Sequence, residues 1–125
     1  MDGTPPAGRG RQIIERYGAG RFRIAGVDHV GSVLVFPWRT LAWSVAQIDQ
    51  LTTAGLAPVL EASASVELLL LGTGPRMEAM PTGLHEALRG AGVKVEAMDT
   101  GAACRTFNVL VAEERRVAAA LIAVD

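Results

Sequence analysis

Leu68-Leu69-Leu70-Leu71-Gly72-Thr73-Gly74-Pro75-Arg76 is a run of leucines stopped by a glycine pair, and its reading decides the fold. With Val66 and Glu67 in front of it, the run predicts a buried strand, apolar on both faces except at Glu67, as in a parallel sheet covered by helices. Further along, Thr82 is placed to cap a helix whose apolar face is Leu84, Leu88 and Ala91 and which Gly92 ends. Val93-Lys94-Val95-Glu96-Ala97 is the next strand. Asp99 or Thr100 caps a second helix that turns Ala103, Phe107, Leu110 and Val111 inward, and Arg116 to Val124 is the last strand. Strand, helix, strand, helix, strand with short connections predicts parallel strands joined by right-handed crossovers.

Upstream of the leucines, Ile48, Leu51, Leu56, Val59 and Leu60 recur at helical spacing, but Gly55 and Pro58 restrict them to a short or broken helix. From Gln12 to Trp43 short strands alternate with glycines. Ile13, Ile14 and Tyr17 lead to Gly18, Phe22 and Ile24 alternate with Arg21 and Arg23, and Val27 to Val30 stops at Gly31. Ser32-Val33-Leu34-Val35-Phe36 then runs to Pro37, with Trp38 and Trp43 bracketing the connection as expected core anchors or lids. The fold class expected is α/β: a small three-layer domain with a mainly parallel central sheet and an antiparallel N-terminal hairpin or meander. Residues 1–11 hold almost nothing apolar to bury and read as a flexible tail; residues 12–125 read as one domain.

Composition narrows the function. The 125 residues carry 12 Lys+Arg against 13 Asp+Glu, a net charge of -1 that argues against nucleic acid as the main partner. Half the residues are apolar, which excludes a disordered chain. The one cysteine, Cys104, forms no intrachain disulfide, and two distant histidines, His29 and His85, suggest no metal site. No apolar run approaches the roughly 20 residues of a bilayer span, and the N-terminus has neither a secretory h-region nor a convincing presequence. A cytoplasmic protein is the expectation, with the mitochondrial matrix as the alternative for a eukaryotic chain.

A glycine pair at the carboxyl end of a parallel strand is where open α/β sheets bind ligands. The amides of Gly72-Thr73-Gly74, the Thr73 hydroxyl and Arg76 are therefore candidate anion donors, and Asp99 stands where a ribose-reading acid would lie. Against a dinucleotide, Met77 replaces the third glycine, Pro75 removes an amide, and the helix starts several residues too late. Cys104, in the first turns of its helix, reads either as a thiol whose pKa the helix dipole lowers or as a small buried residue. Arg105 and Asn108 share a stripe opposite Phe107 and Leu110, as surface groups or as donors lining a cleft. Glu113-Glu114-Arg115-Arg116 reads as a solvated turn with weak ion pairs, or as part of a polar network under the glycine loop. The basic N-terminal run of Arg9, Arg11, Arg16, Arg21 and Arg23 is a candidate for binding an acidic protein surface.

Several of these strings occur together. Ser32-Val33-Leu34-Val35-Phe36-Pro37, Glu67 through Gly74, and Val95-Glu96-Ala97-Met98-Asp99-Thr100 precede Ala102-Ala103-Cys104-Arg105-Thr106-Phe107-Asn108-Val109-Leu110 and Glu113 through Ile122. In this order, over about Ile13 to Val124, the chain resembles family 498 of the domains of unknown function. The resemblance implies a compact α/β fold with a helix-flanked parallel sheet, and mitochondrial members that act as assembly partners of respiratory complex I without a recognised reaction. Gly72, Thr73, Gly74, Asp99, Thr100, Arg105, Thr106, Asn108 and Arg116 match the family's motif positions, none with an established catalytic role. Phe107 stands where the family usually has tyrosine.

The function expected is thus a non-catalytic protein-binding domain without cofactor or metal. Under the resemblance its partners are complex I subunits or membrane-insertion factors. The alternative is a small-ligand or nucleotide-binding domain built on Gly72-Thr73-Gly74, with Arg76, Asp99, Thr100, Arg105, Thr106, Asn108 and Arg116 around it.

Overall fold

The computed structural model describes residues 11–125, so the expected tail, apart from Arg11, lies outside the described residues. Three strands, β1 (Ile14–Gly18), β2 (Arg21–Ile24) and β3 (Val27–Val30), form an antiparallel sheet in the order β1-β2-β3. Its two hairpins are tight because Ala19-Gly20 and Ala25-Gly26 all take positive φ, the conformation that lets a two-residue turn follow the twist of its strands. His29 lies in β3.

The main sheet has five strands: β4 (Val33–Phe36), β5 (Arg39–Ala42), β6 (Leu68–Gly72), β7 (Lys94–Met98) and β8 (Val117–Leu121), in the order β5-β4-β8-β6-β7. β6 is parallel to both β7 and β8, as the alternating pattern predicts. The pairs β4–β5 and β4–β8 are antiparallel, so parallel pairing is confined to one half of the sheet. β8, the last strand in sequence, takes the middle. Its run Ala118-Ala119-Ala120 is buried on both faces and small enough for layers to close on either side. β5 is an additional strand inside the expected connection. As an edge strand with no fully buried residue it shows no apolar alternation, and its pairing with β4, from Phe36–Arg39 beside the Pro37-Trp38 turn to Val33–Ala42, defines it.

The helical elements are α1 (Ala57–Glu61), α2 (Leu84–Gly90) and α3 (Thr100–Ala112), with 3-10 turns around α1 that match the expected broken helix. Two apolar clusters, one on each face of the five-stranded sheet, make three layers. On one face Leu34, Phe36, Leu69 and Leu71 meet Trp43, Leu51, Leu56, Val59, Leu84 and Leu88. On the other, Val33, Val35, Leu70, Ala119 and Leu121 meet α3 through Ala103, Cys104, Phe107 and Val111, and the small sheet through Ile14, Phe22 and Ile24. Trp43 is a core anchor, its indole N–H donating to the Gly55 carbonyl at 2.9 Å. Trp38 is not: it is 44% exposed and stacks on Phe36 with ring centroids 5.1 Å apart. Nor does Thr82 cap α2. That place belongs to Gly83, at φ 88°, with no side-chain cap bond.

Candidate functional site

The residues singled out in sequence gather in three places. The first is the joint between β6 and the N-terminus of α3. Asp99 is the helix cap, its carboxylate accepting the Ala102 N–H at 3.0 Å. Thr100, fully buried, accepts the Gly74 N–H at 3.0 Å and donates to the Ile122 carbonyl at 2.8 Å. One hydroxyl thereby ties together the loop after β6, the start of α3 and the end of β8. The Thr100 N–H donates to the Gly74 carbonyl, and the Thr73 N–H to the Met98 carbonyl, both at 2.9 Å. The Thr73 hydroxyl accepts the Glu78 N–H at 3.0 Å and donates to the Arg76 carbonyl at 2.7 Å, with the Met98 carbonyl a second acceptor at 3.2 Å.

This arrangement accounts for the glycines. A Cβ on Gly72 would lie 3.0 Å from the Thr100 Cα and 3.0 Å from a Leu121 methyl, so only glycine admits the helix this close to the strand. Gly74 holds φ 119°, a conformation side chains rarely adopt. The backbone amides of Thr73 and Gly74 are engaged within the protein, and Pro75 has none, whereas a phosphate cradle needs amides directed outward. The hollow of about 240 Å³ beside the loop carries Asp49 and Glu78 and no cation, which sets its field against an anion. Arg76 is exposed and does not line that hollow.

The second place is the seam between α3 and the small sheet. Asn108 grips β1 with both ends of its amide, Oδ1 accepting the Ile14 N–H and Nδ2 donating to the Ile14 carbonyl, each at 2.9 Å. It satisfies the backbone of β1 as a neighbouring strand would. Arg105 donates to the Tyr17 hydroxyl at 2.9 Å, and Tyr17 comes so near α3 that a Cβ on Gly101 would fall 2.7 Å from its oxygen. Thr106 is half-buried on the same helix. Tyr17 carries no sequence signal for this role, since its partner is 88 residues away. Between these places Cys104 is buried, and burial pushes its thiol up from 9.0 to about 12 against the lowering influence of Arg105, with Asp99 raising it further. Of the two readings of this cysteine, the small buried residue is the one in keeping with its burial.

The third place is the opposite end of the sheet, where α3 turns into β8. Arg116 donates to the Ala64 carbonyl at 3.2 Å and approaches Glu67 at 3.4 Å, while Arg115 reaches the other Glu67 oxygen at 3.7 Å. The group therefore lies at the start of β6, not under the glycine loop at its end. A cleft of about 440 Å³ opens here between Trp38, Ala64, Ser65, Glu114 and the two arginines. Among the described residues no group of three or more His, Cys, Asp or Glu is placed to hold a metal ion, and no helix is long and apolar enough to cross a membrane.

Comparison with known proteins adds the following. The family described as "Protein of unknown function (DUF498/DUF598)" matches residues 14–122. A Xenopus tropicalis protein named NADH dehydrogenase [ubiquinone] 1 alpha subcomplex assembly factor 3 is 39% identical over 110 residues, 88% of this chain and 60% of that protein. The chain thus spans about 60% of the length of that curated relative. A crystal structure titled as an outer membrane protein from Bartonella henselae is 40% identical, with a TM-score of 0.87 over 94% of this chain and 98% of that one. A Bordetella pertussis solution structure titled as an Mth938-like domain is 27% identical, with a TM-score of 0.81 over 98% of this chain and 91% of that one.

Proposed function

The chain belongs to the DUF498/DUF598 family, and from that premise we propose that it is a non-catalytic protein-binding domain that assists assembly of respiratory complex I. The observation that carries this reading is the 39% identity to a protein named as a complex I assembly factor, over 88% of this chain. The geometry is in keeping with it. Of the polar residues that the sequence offers as a ligand site, Thr73, Asp99, Thr100, Arg105 and Asn108 are engaged at the joints between α3, the loop after β6 and the small sheet. The side chains left facing solvent include Trp38, Arg16, Arg21 and Arg76. The protein partners are complex I subunits or the factors that bring them to the membrane.

The test is affinity capture of the tagged protein from detergent-solubilised native cells against a tag-only control, alongside a deletion strain. Enrichment of NADH dehydrogenase subunits and a fall in assembled complex I on native gels are expected. A deletion strain with complex I at wild-type level, together with no subunit enriched, would overturn the reading.

A further inference from the structure

The small sheet places three arginines on one face. Arg21 and Arg23 lie two apart on β2 and so share a side, while Phe22 and Ile24 fill the other and are fully buried. Arg16 of β1 is directly opposite Arg23. Like charges opposed across two strands repel, so this pairing does not serve the sheet. Arg23 is compensated, by Asp28 at 3.0 Å and Glu15 at 3.7 Å. Arg16 and Arg21 are exposed and have no acid within ion-pair distance among the described residues. A groove of about 530 Å³ runs between Arg16, Tyr17, Arg21 and Arg23, with the small residues Gly18 and Ala19 along it and Asp28, the partner of Arg23, as its one acid. Tyr17 brings the guanidinium of Arg105 to its edge. In a chain of net charge -1 this is a local concentration of positive charge, not a general excess.

We propose that this groove seats an acidic segment of a partner protein, its carboxylates taken by Arg16 and Arg21. Guanidinium forks match carboxylates in bidentate geometry. Val30, opposite Arg21 and 77% exposed, offers an apolar contact to the side chain between two acids. Asp28 and Glu15 both sit on Arg23, at one side of the groove, and would repel a continuous phosphate backbone or a plane of lipid headgroups, whereas a short peptide can take Arg16 and Arg21 and end before them. The proposal deepens the protein-binding reading above by naming the chemistry of the partner, and it rests on that reading.

The experiment titrates an end-blocked nonapeptide of glutamates with one central leucine into ¹⁵N-labelled protein and follows amide shifts. Saturable shifts confined to residues 16–23 and 30 are expected. The Kd should rise at least about tenfold in the Arg16→Glu/Arg21→Glu protein and stay unchanged in Arg89→Glu, on the exposed side of α2. Absence of saturable shifts, or equal affinity in the double variant, would overturn the proposal. So would tighter binding of single-stranded DNA or phosphatidylserine vesicles at the same residues, which would assign the groove to phosphate. Capture from cells separates the two readings. If the wild-type protein brings down no NADH dehydrogenase subunit, the assembly role fails while the titration still decides the groove. If the double variant brings down as much as wild type, the assembly role stands and the groove proposal falls.

Discussion

The two ends of α3 are built on different physical terms. At the N-terminal end the joint is closed: the half-buried Asp99 caps, the buried Thr100 joins three elements through one hydroxyl, and Gly72 leaves no room for a methyl group. At the C-terminal end the chain leaves through solvent. The Glu114 N–H donates to the Val111 carbonyl and the Arg115 N–H to the Leu110 carbonyl, the paired bonds of a Schellman turn, with Glu114 in the left-handed region at φ 61°. α2 ends with the same two bonds, from Gly92 to Arg89 and from Val93 to Leu88, but with glycine at the left-handed position, φ 86°. A left-handed glutamate in solvent carries only a local conformational cost. A misplaced atom at the buried joint would displace a strand, a helix and a loop together.

The largest effect should come from the buried hydroxyl. Thr100→Val keeps the shape but leaves the Gly74 N–H and one Ile122 carbonyl bond unmade in a dry joint, for an expected loss of about 3 kcal/mol. Urea unfolding checks this as a lower midpoint at unchanged slope; a loss no larger than that of an exposed substitution would mean the joint is less closed than its geometry. Gly72→Ala should follow at about 2 kcal/mol, because the methyl meets helix backbone that cannot turn aside. Gly101→Ala meets only the ends of the Tyr17 and Arg105 side chains, both exposed enough to swing away, and equality of the two in thermal melts would refute the distinction.

The C-terminal end gives smaller effects of opposite sign. Glu114→Gly should stabilise by about 1 kcal/mol and Gly92→Ala should destabilise by a similar amount, since both positions need φ above zero. A Glu114→Gly protein no more stable than wild type would show that the glutamate side chain contributes something the turn alone does not. The smallest effect at neutral pH, and a growing one in alkali, belongs to Cys104. Its folded pKa is raised, so its contribution is intact below about 9 and is lost as pH climbs towards about 12, where the unfolded chain releases a proton that the folded chain keeps. A Cys104→Ala protein should lose stability less steeply over that window, and parallel slopes would contradict the burial argument.

Much of the frame was legible in the residues. The leucine run, the Asp99 cap and the glycine stops placed β6, α2, β7, α3 and β8, because burial on both faces and helical spacing leave clear local patterns. β5 was not legible: a four-residue edge strand has no face to bury. The candidate site was legible only as a set of residue types. Gly72, Thr73, Gly74, Asp99 and Thr100 do converge, whereas Arg105 and Asn108 turn to the small sheet and Arg116 lies at the far end. Charge and glycine content signal donors, but not whether another part of the chain has already engaged them.

The sequence by itself determined the alternation of strands and helices, the stops between them and the family, since each rests on neighbours within a few residues or on the order of short strings. Only the tertiary structure decided that the last strand enters the middle of the sheet and that the Thr100 hydroxyl closes the glycine loop. It alone decided that Cys104 is desolvated and that Arg16 and Arg21 stand without acids among the described residues. Those outcomes depend on partners brought together from distant parts of the chain, and hydrogen bonding, desolvation and ion pairing are set by what is near in space.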